Sequence, residues 1–311
     1  MKDVKGKTAF ITGGASGMGL GMTRVFVDNG MKVVIADIRQ NALDKAIGYF
    51  KGKKQDNVVH PIQLDVTDRE AFARAAEEAE KVFGKIHVLI SNAGVSCGGK
   101  LAEVTYKDWD FGFGIKAGGT INAVTTILPR IIKHGEGGHV VTTSSTNGFS
   151  ATPGFGIYCS SMFAVAGMME SLASELDGTN VGASVFFPGP VSTELNESTV
   201  ELRRDVLKEE VKPAAPPPPP KGFRMSDFGK VIMSIEEAGE RVLRGIKRND
   251  LFIMTHPEFM HGVIARFTAL LRSFPSEEFD QERLDIIKNF GPVWRNPIYD
   301  KQTTPGPPDW N

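Results

Sequence analysis

The chain has 311 residues, 41% of them hydrophobic, and a formal net charge of −1. So even a balance leaves no global field to recruit nucleic acid or an anionic membrane surface, and no apolar run approaches the roughly 18 residues of a membrane span. The opening Met-Lys-Asp-Val-Lys-Gly-Lys lacks a signal-peptide core, and Cys97 and Cys159 stand in no metal-like spacing; the expectation is a cytoplasmic protein with two free thiols and no metal.

Short apolar runs alternate with helical stretches along the chain. Residues 8–12 read as a strand and 17–29 as its helix; 32–36 and 58–64 are further strands, and 68–83 a helix. A strand at 87–91 leads to one long helix at 107–133, then come a strand at 138–143, a helix at 155–176 and a strand at 181–187. This alternation predicts an α/β fold: a doubly wound parallel sheet with helices on both faces. Beyond it, 194–230 is polar and basic and contains the run Pro216 to Pro220, which cannot continue a helix and reads as a stiff spacer. A helix at 235–247, a strand at 251–254 and an apolar helix at 258–272 finish the pattern. The expected organisation is one domain over 1–275, with 194–235 as a substrate loop, a C-terminal helical extension, and an extended tail at 276–311 that wraps the surface or a neighbouring subunit.

The loop after the first strand carries Gly13, Ser16, Gly17, Met18 and Gly19 in a G-x-x-x-G-x-G spacing. Its glycines let backbone N–H groups approach a pyrophosphate, and the helix N-terminus adds a favourable dipole. Strand-turn-helix context makes this a Rossmann-type dinucleotide loop. Asp37 ends the second strand, followed by Ile38. A carboxylate there binds ribose hydroxyls and repels a 2′-phosphate, which favours NAD, although Arg39 could pair with a phosphate.

Asp65-Val66 ends the third strand, Asn92-Ala93-Gly94 the fourth, and Pro188-Gly189-Pro190-Val191-Ser192-Thr193 follows the sixth. With these motifs the chain resembles the short-chain dehydrogenase/reductase family. The resemblance implies that Asp65 and Val66 contact adenine, and that Asn92, Ala93 and Gly94 line the cofactor. It implies further that Pro188, Gly189, Val191 and Thr193 face the nicotinamide end. The opening residues and the Gly-His-Val-Val-Thr-Thr-Ser-Ser stretch are similar to bacterial Cα-dehydrogenases of lignin β-aryl ether breakdown. That likeness implies an NAD-dependent enzyme and a small aromatic substrate. Helix pairing across subunits, also implied by the family, gives a homodimer or homotetramer.

Ser145 and Tyr158 stand thirteen residues apart, the spacing of the family's catalytic serine and tyrosine. Two positions depart from the family. Met162 replaces the lysine four residues after the tyrosine, and Lys116 replaces an asparagine on the preceding long helix. A thioether has neither charge nor donor, so Met162 cannot lower the pKa of Tyr158 or bind ribose. Three readings follow. Lys116 takes over the missing charge in a dehydrogenase or ketoreductase; or Tyr158 and Lys116 serve a non-redox lyase or isomerase; or Lys116 is a surface lysine in an inactive NAD-binding relative. The substrate pocket is expected to draw on Val95, Cys97, Phe149, Pro153, Phe155, Phe187 and parts of 194–230.

Overall fold

The computed structural model describes residues 1–208, 227 and 229–304; the run Pro216 to Pro220 lies outside the described residues. Seven parallel strands form one sheet in the order β3-β2-β1-β4-β5-β6-β7. They are β1 (Thr8–Thr12), β2 (Lys32–Asp37), β3 (Val59–Gln63), β4 (Val88–Ser91), β5 (Gly138–Thr143), β6 (Val181–Phe187) and β7 (Phe252–Met254). Every residue of β1, β4 and β5 is buried, as crossover helices on both faces require. The order reverses direction beside β1, with β2 on one side and β4 on the other. Ligands in open sheets of this kind bind at that crevice, beyond the carboxyl ends of the strands.

Two cores flank the sheet. On one face α1 (Gly17–Asp28), α2 (Gln40–Gly52) and α8 (Ile235–Arg248) contribute Phe26, Leu43, Phe50 and Val242. On the other, α3 (Arg69–Phe83), α5 (Gly119–His134) and α6 (Gly156–Glu175) contribute Phe72, Ile127 and Met169. α1 and α8 approach through bare backbone: a Cβ on Gly21 would stand 2.0 Å from the Ile235 carbonyl.

Sequence and structure differ at four places. The expected long helix at 107–133 is three pieces: α4 (Tyr106–Phe113), a π-helical turn (Gly114–Gly118) and α5. Gly114, Gly118 and Gly119 weaken the helix there, and the Lys116 side chain is anchored to the β4 end. The polar stretch after 194 opens with α7 (Leu195–Leu207); its cavity-lining apolar residues, Leu195, Leu202, Val206 and Leu207, form too sparse a stripe to stand out. α2 buries Ala42, Leu43, Ala46 and Phe50 at helical spacing. Beyond α9 (Met260–Arg272), whose apolar residues are all outside the core, the tail forms α10 (Gln281–Lys288).

Candidate active site

At the β1–α1 turn, Gly13 and Gly17 have φ of +61° and +49°, left-handed values that suit glycine. Gly19 packs on the turn, where a Cβ would stand 2.0 Å from the Gly13 carbonyl. Ser16 is the N-cap residue of α1, yet its hydroxyl makes no capping bond. It accepts instead from Arg39 Nη2 at 2.5 Å, so the first N–H groups of α1 stay free of a side-chain cap. Arg39 also donates through Nε to Asp37 Oδ1 at 3.4 Å. Asp37 is buried at the end of β2.

The β4 end is fixed by a hydroxyl. Thr12 Oγ1 accepts from the backbone N–H of Asn92 at 3.0 Å and of Ala93 at 3.1 Å. The Asn92 amide donates to the Gly13 carbonyl at 3.3 Å and accepts from Thr143 Oγ1 at 3.1 Å. This one side chain therefore ties β1, β4 and β5 together at the crevice. Asp65 accepts from Thr67 N and Oγ1, and the Val66 carbonyl accepts from Asn122 Nδ2 at 2.8 Å.

A cavity of about 770 Å³ runs along this edge. Gly13, Ser16, Gly17, Met18, Asp37 and Ile38 line it at one end. Asp65, Val66, Asn92, Ala93 and Gly94 follow, then Tyr158, Met162 and Thr193. Gly19, Ser145, Pro188, Gly189 and Val191 are not among the residues that line it. Thr193 faces the glycine loop, where a Cβ on Gly17 would lie 3.3 Å from Thr193 Cγ2.

Lys116 also lines the cavity and is 1% exposed. Its position excludes a surface lysine. The Nζ donates to the carbonyls of Ser91 and Ala93, each at 3.3 Å. Among the described residues no carboxylate pairs with it, and burial lowers its pKa to about 7. Its own carbonyl accepts from Thr120 Oγ1 at 2.8 Å, and Thr120 in turn meets Ser91 Oγ at 2.9 Å. Met162 is buried on α6 in the same cavity.

Tyr158 hydrogen-bonds Ser145. Burial raises the phenol's pKa, the Ser145 bond opposes that rise, and Cys159 adds to it. No cation is among these influences: Lys116 shares the cavity but directs its amine to the β4 carbonyls. Ser145 Oγ also accepts from Asn147 N at 3.2 Å.

The apolar walls are those expected only in part. Of the residues named for the pocket, Val95 lines the cavity. Phe149 and Phe187 meet edge-on at 5.3 Å inside the core, Cys97 is buried, Phe155 packs on the Tyr158 ring, and Pro153 is exposed. Leu202, Val206 and Leu207 of α7, within the expected 194–230 stretch, do line the cavity, and Phe111 and Ile115 from the α4 side, which were not expected, complete the walls. α7 is docked by Thr199 Oγ1, which accepts from Ser96 N at 2.9 Å, and by an Arg203–Asp108 ion pair. Burial pushes the Cys97 thiol up to about 11, away from nucleophile chemistry. Among the described residues no group of three His, Cys, Asp or Glu side chains could hold a metal ion, and no helix is long and apolar enough to cross a membrane.

Comparison with known proteins agrees with this geometry. The family model described as short chain dehydrogenase matches residues 7–204. The chain is 35% identical over 289 residues to a C alpha-dehydrogenase of Sphingobium sp. strain SYK-6, covering 91% of each chain. Among solved structures it resembles apo LigO of the same strain: 36% identity, TM-score 0.73, covering 98% of this chain and 100% of the other. It also resembles a short chain dehydrogenase/reductase of Burkholderia phymatum in complex with NAD: 27% identity, TM-score 0.77, covering 90% and 100%. The lyase and inactive readings gain no support from these oxidoreductases. Fold, crevice and relatives together make this chain a member of the short chain dehydrogenase family.

Proposed function

We propose that the chain is an NAD-dependent dehydrogenase that interconverts an aromatic, lignin-type alcohol and its ketone, with Lys116 in the role that Met162 cannot fill. The observation that carries this is a fully buried, carboxylate-free lysine lining the same cavity as Tyr158 and Met162. A lysine is a costly group to bury without an acid, and here it lies against the Asn92-Ala93-Gly94 turn, where the cofactor cleft and the catalytic tyrosine meet. The C alpha-dehydrogenase relative supports the reaction class, and the apolar walls Phe111, Leu202, Val206 and Leu207 suit an aryl group.

The uncapped α1 N-terminus, the two left-handed glycines and the buried Asp37 fit a dinucleotide. Gly13, Ser16, Gly17 and Met18 hold its pyrophosphate, Asp37 its adenosine ribose, and Asn92 to Gly94 with Thr193 its nicotinamide half. Bound there, it supplies the hydride acceptor for oxidation and the donor for reduction. Tyr158 takes the alcohol proton during oxidation and returns it during reduction. Ser145 holds the substrate oxygen beside the phenol. Lys116, near its midpoint at neutral pH, can donate to a ribose hydroxyl when charged and accept a proton when neutral. Its amine is bonded to the Ser91 and Ala93 carbonyls and not to Tyr158, so its part would be to hold the bound dinucleotide in the cleft.

The test follows 340 nm absorbance and product mass together, with NAD or NADP and a panel of aryl alcohols. Wild type should form NADH in step with a two-mass-unit loss. Lys116→Asn should lose activity by about 10²–10⁴-fold, and Lys116→Asn/Met162→Lys, which restores the family arrangement, should regain much of it. An unaffected single variant would remove Lys116 from the reaction. A substrate that fragments without NADH would remove the dehydrogenase reading.

A further inference from the structure

The turn at 188–193 is held from behind by a chain of hydrogen bonds that the proposed reaction does not use. Gly189 N donates to Thr255 Oγ1 at 2.7 Å. Thr255 Oγ1 lies 2.7 Å from His256 Nδ1, and His256 Nε2 lies 2.8 Å from the Val231 carbonyl. A carbonyl can only accept, so Nε2 carries a hydrogen, and in the neutral ring Nδ1 presents its lone pair. The Thr255 hydroxyl then donates to Nδ1 while its own lone pair receives Gly189. Every donor in the chain has one direction.

Three segments meet at this point. Val231 belongs to the described stretch 229–234 ahead of α8. Two residues on, Met233 bridges to Val191, with Met233 N donating to the Pro190 carbonyl at 3.0 Å and Ser192 N to the Met233 carbonyl at 2.9 Å. On the other side, Thr146 N donates to the Pro188 carbonyl at 3.2 Å, joining the turn to the Ser145 loop. Thr255 is buried at the exit of β7. The imidazole and Phe259, edge-to-face at 5.9 Å, close over Gly189, where a Cβ would come within 2.7 Å of Nδ1 and 2.5 Å of the Phe259 ring.

We propose that Thr255 and His256 are positioning residues: they couple the placement of the cofactor-facing turn 188–193 to the seating of residues 229–234 through Val231. This rests on the dinucleotide reading of that turn. The relay sets where Gly189 and Thr193 stand, and His256 passes the same constraint to that stretch. Cofactor binding and the seating of 229–234 thereby share one set of hydrogen bonds.

Two variants separate the halves of the relay. Thr255→Val keeps the shape and removes the hydroxyl, and Thr255→Ser restores it. His256→Asn keeps an acceptor for Thr255 but is too short to reach Val231. NADH affinity is read by fluorescence titration, substrate KM and kcat by steady-state assay, and amide exchange over 186–193 and 229–234 by mass spectrometry. Thr255→Val should weaken NADH binding about tenfold and speed exchange at the turn, while Thr255→Ser stays within about threefold of wild type. His256→Asn should leave NADH affinity near wild type and raise substrate KM about fivefold, with faster exchange confined to 229–234. Unchanged exchange in Thr255→Val overturns the relay. Faster exchange with unchanged NADH affinity and substrate KM overturns the positioning role. A wild type that binds no NADH overturns the dinucleotide reading and the positioning role with it, whereas the exchange data still report whether the relay exists.

Discussion

At the scale of single residues, a lysine buried in the cavity wall has an energetic signature. Lys116 is buried with two carbonyl partners and a pKa lowered from 10.5 to about 7. Between those values the unfolded chain holds a proton that the folded chain has released. Stability therefore rises with pH across the window, and the cost is full below pH 7. Lys116→Met removes that cost. Its midpoint temperature should exceed that of wild type at pH 6.5, by a free energy on the order of a few kcal/mol, and the gap should shrink toward pH 10. An equal gain at both pH values would count against a neutralised lysine. A second prediction concerns the adenosine end, where Asp37 and Ser16 restrain Arg39. Asp37→Ser frees the guanidinium for a 2′-phosphate, and the NAD-to-NADP ratio of kcat/KM should fall by at least about tenfold. These positions were legible in the sequence because Gly13, Gly17, Asp37 and Asn92 stand at fixed offsets from strand ends. The burial of Lys116 was not, since nothing in the letters around it shows a side chain turning inward to two carbonyls.

At the scale of elements, α7 decides what the cavity can admit. Its Leu202 and Leu207 pack on the cluster of Val95, Cys97, Phe111 and Ile157. Arg203 pairs with Asp108 and lies over the Phe111 ring at 5.9 Å. Burial would raise the Asp108 pKa, but bonds from the Thr105 backbone and hydroxyl and from Arg203 outweigh it and hold the carboxyl low. Asp108 thus serves twice, capping α4 and anchoring α7. Arg203→Ala should unlatch α7 while leaving α4 capped. Substrate KM should rise about tenfold with NADH affinity little changed, measured by steady-state kinetics and fluorescence titration; a loss confined to kcat would contradict the latch. The sequence hides α7 because its inward residues are few and flanked by Glu201, Arg203, Arg204 and Asp205. It hides the break at Gly114–Gly118 for a different reason: a π-helical turn shifts the helical period without any proline to mark it. Aromatic residues expected in the pocket, Phe149 and Phe187, instead fill the core. Aromatic content near a strand end does not tell which way a ring points.

At the scale of the whole molecule, the tail finishes the sheet. β7 is the outer strand on its side, and an open edge is a template for another chain. Gln302 covers it with one side chain: Oε1 accepts from Phe252 N at 2.9 Å, and Nε2 donates to the Phe252 carbonyl at 3.4 Å. The carboxamide thus stands in for one rung of a neighbouring strand. Tyr299 stacks on Phe252 at 6.2 Å and donates to Glu170 at 2.5 Å, which carries its pKa up to about 12. Asn296 donates to Ser174 at 2.6 Å, Lys301 pairs with Asp177, and Ile298 is buried. These contacts bind the outer strand to the far end of α6, the helix that presents Tyr158 at its beginning. Truncation after Arg295 exposes the Phe252 backbone and the site of Ile298 together. It should lower stability by about 2–3 kcal/mol, a fall in midpoint temperature of roughly 5–10 °C. Light scattering should show association through the bared edge. The glycine loop follows β1, separated from this edge by β4, β5 and β6, so NADH affinity of the truncated protein should match the full chain at a temperature where both are folded. A matched loss of NADH affinity at that temperature would mean that the tail supports the cofactor crevice itself and not only the edge it covers.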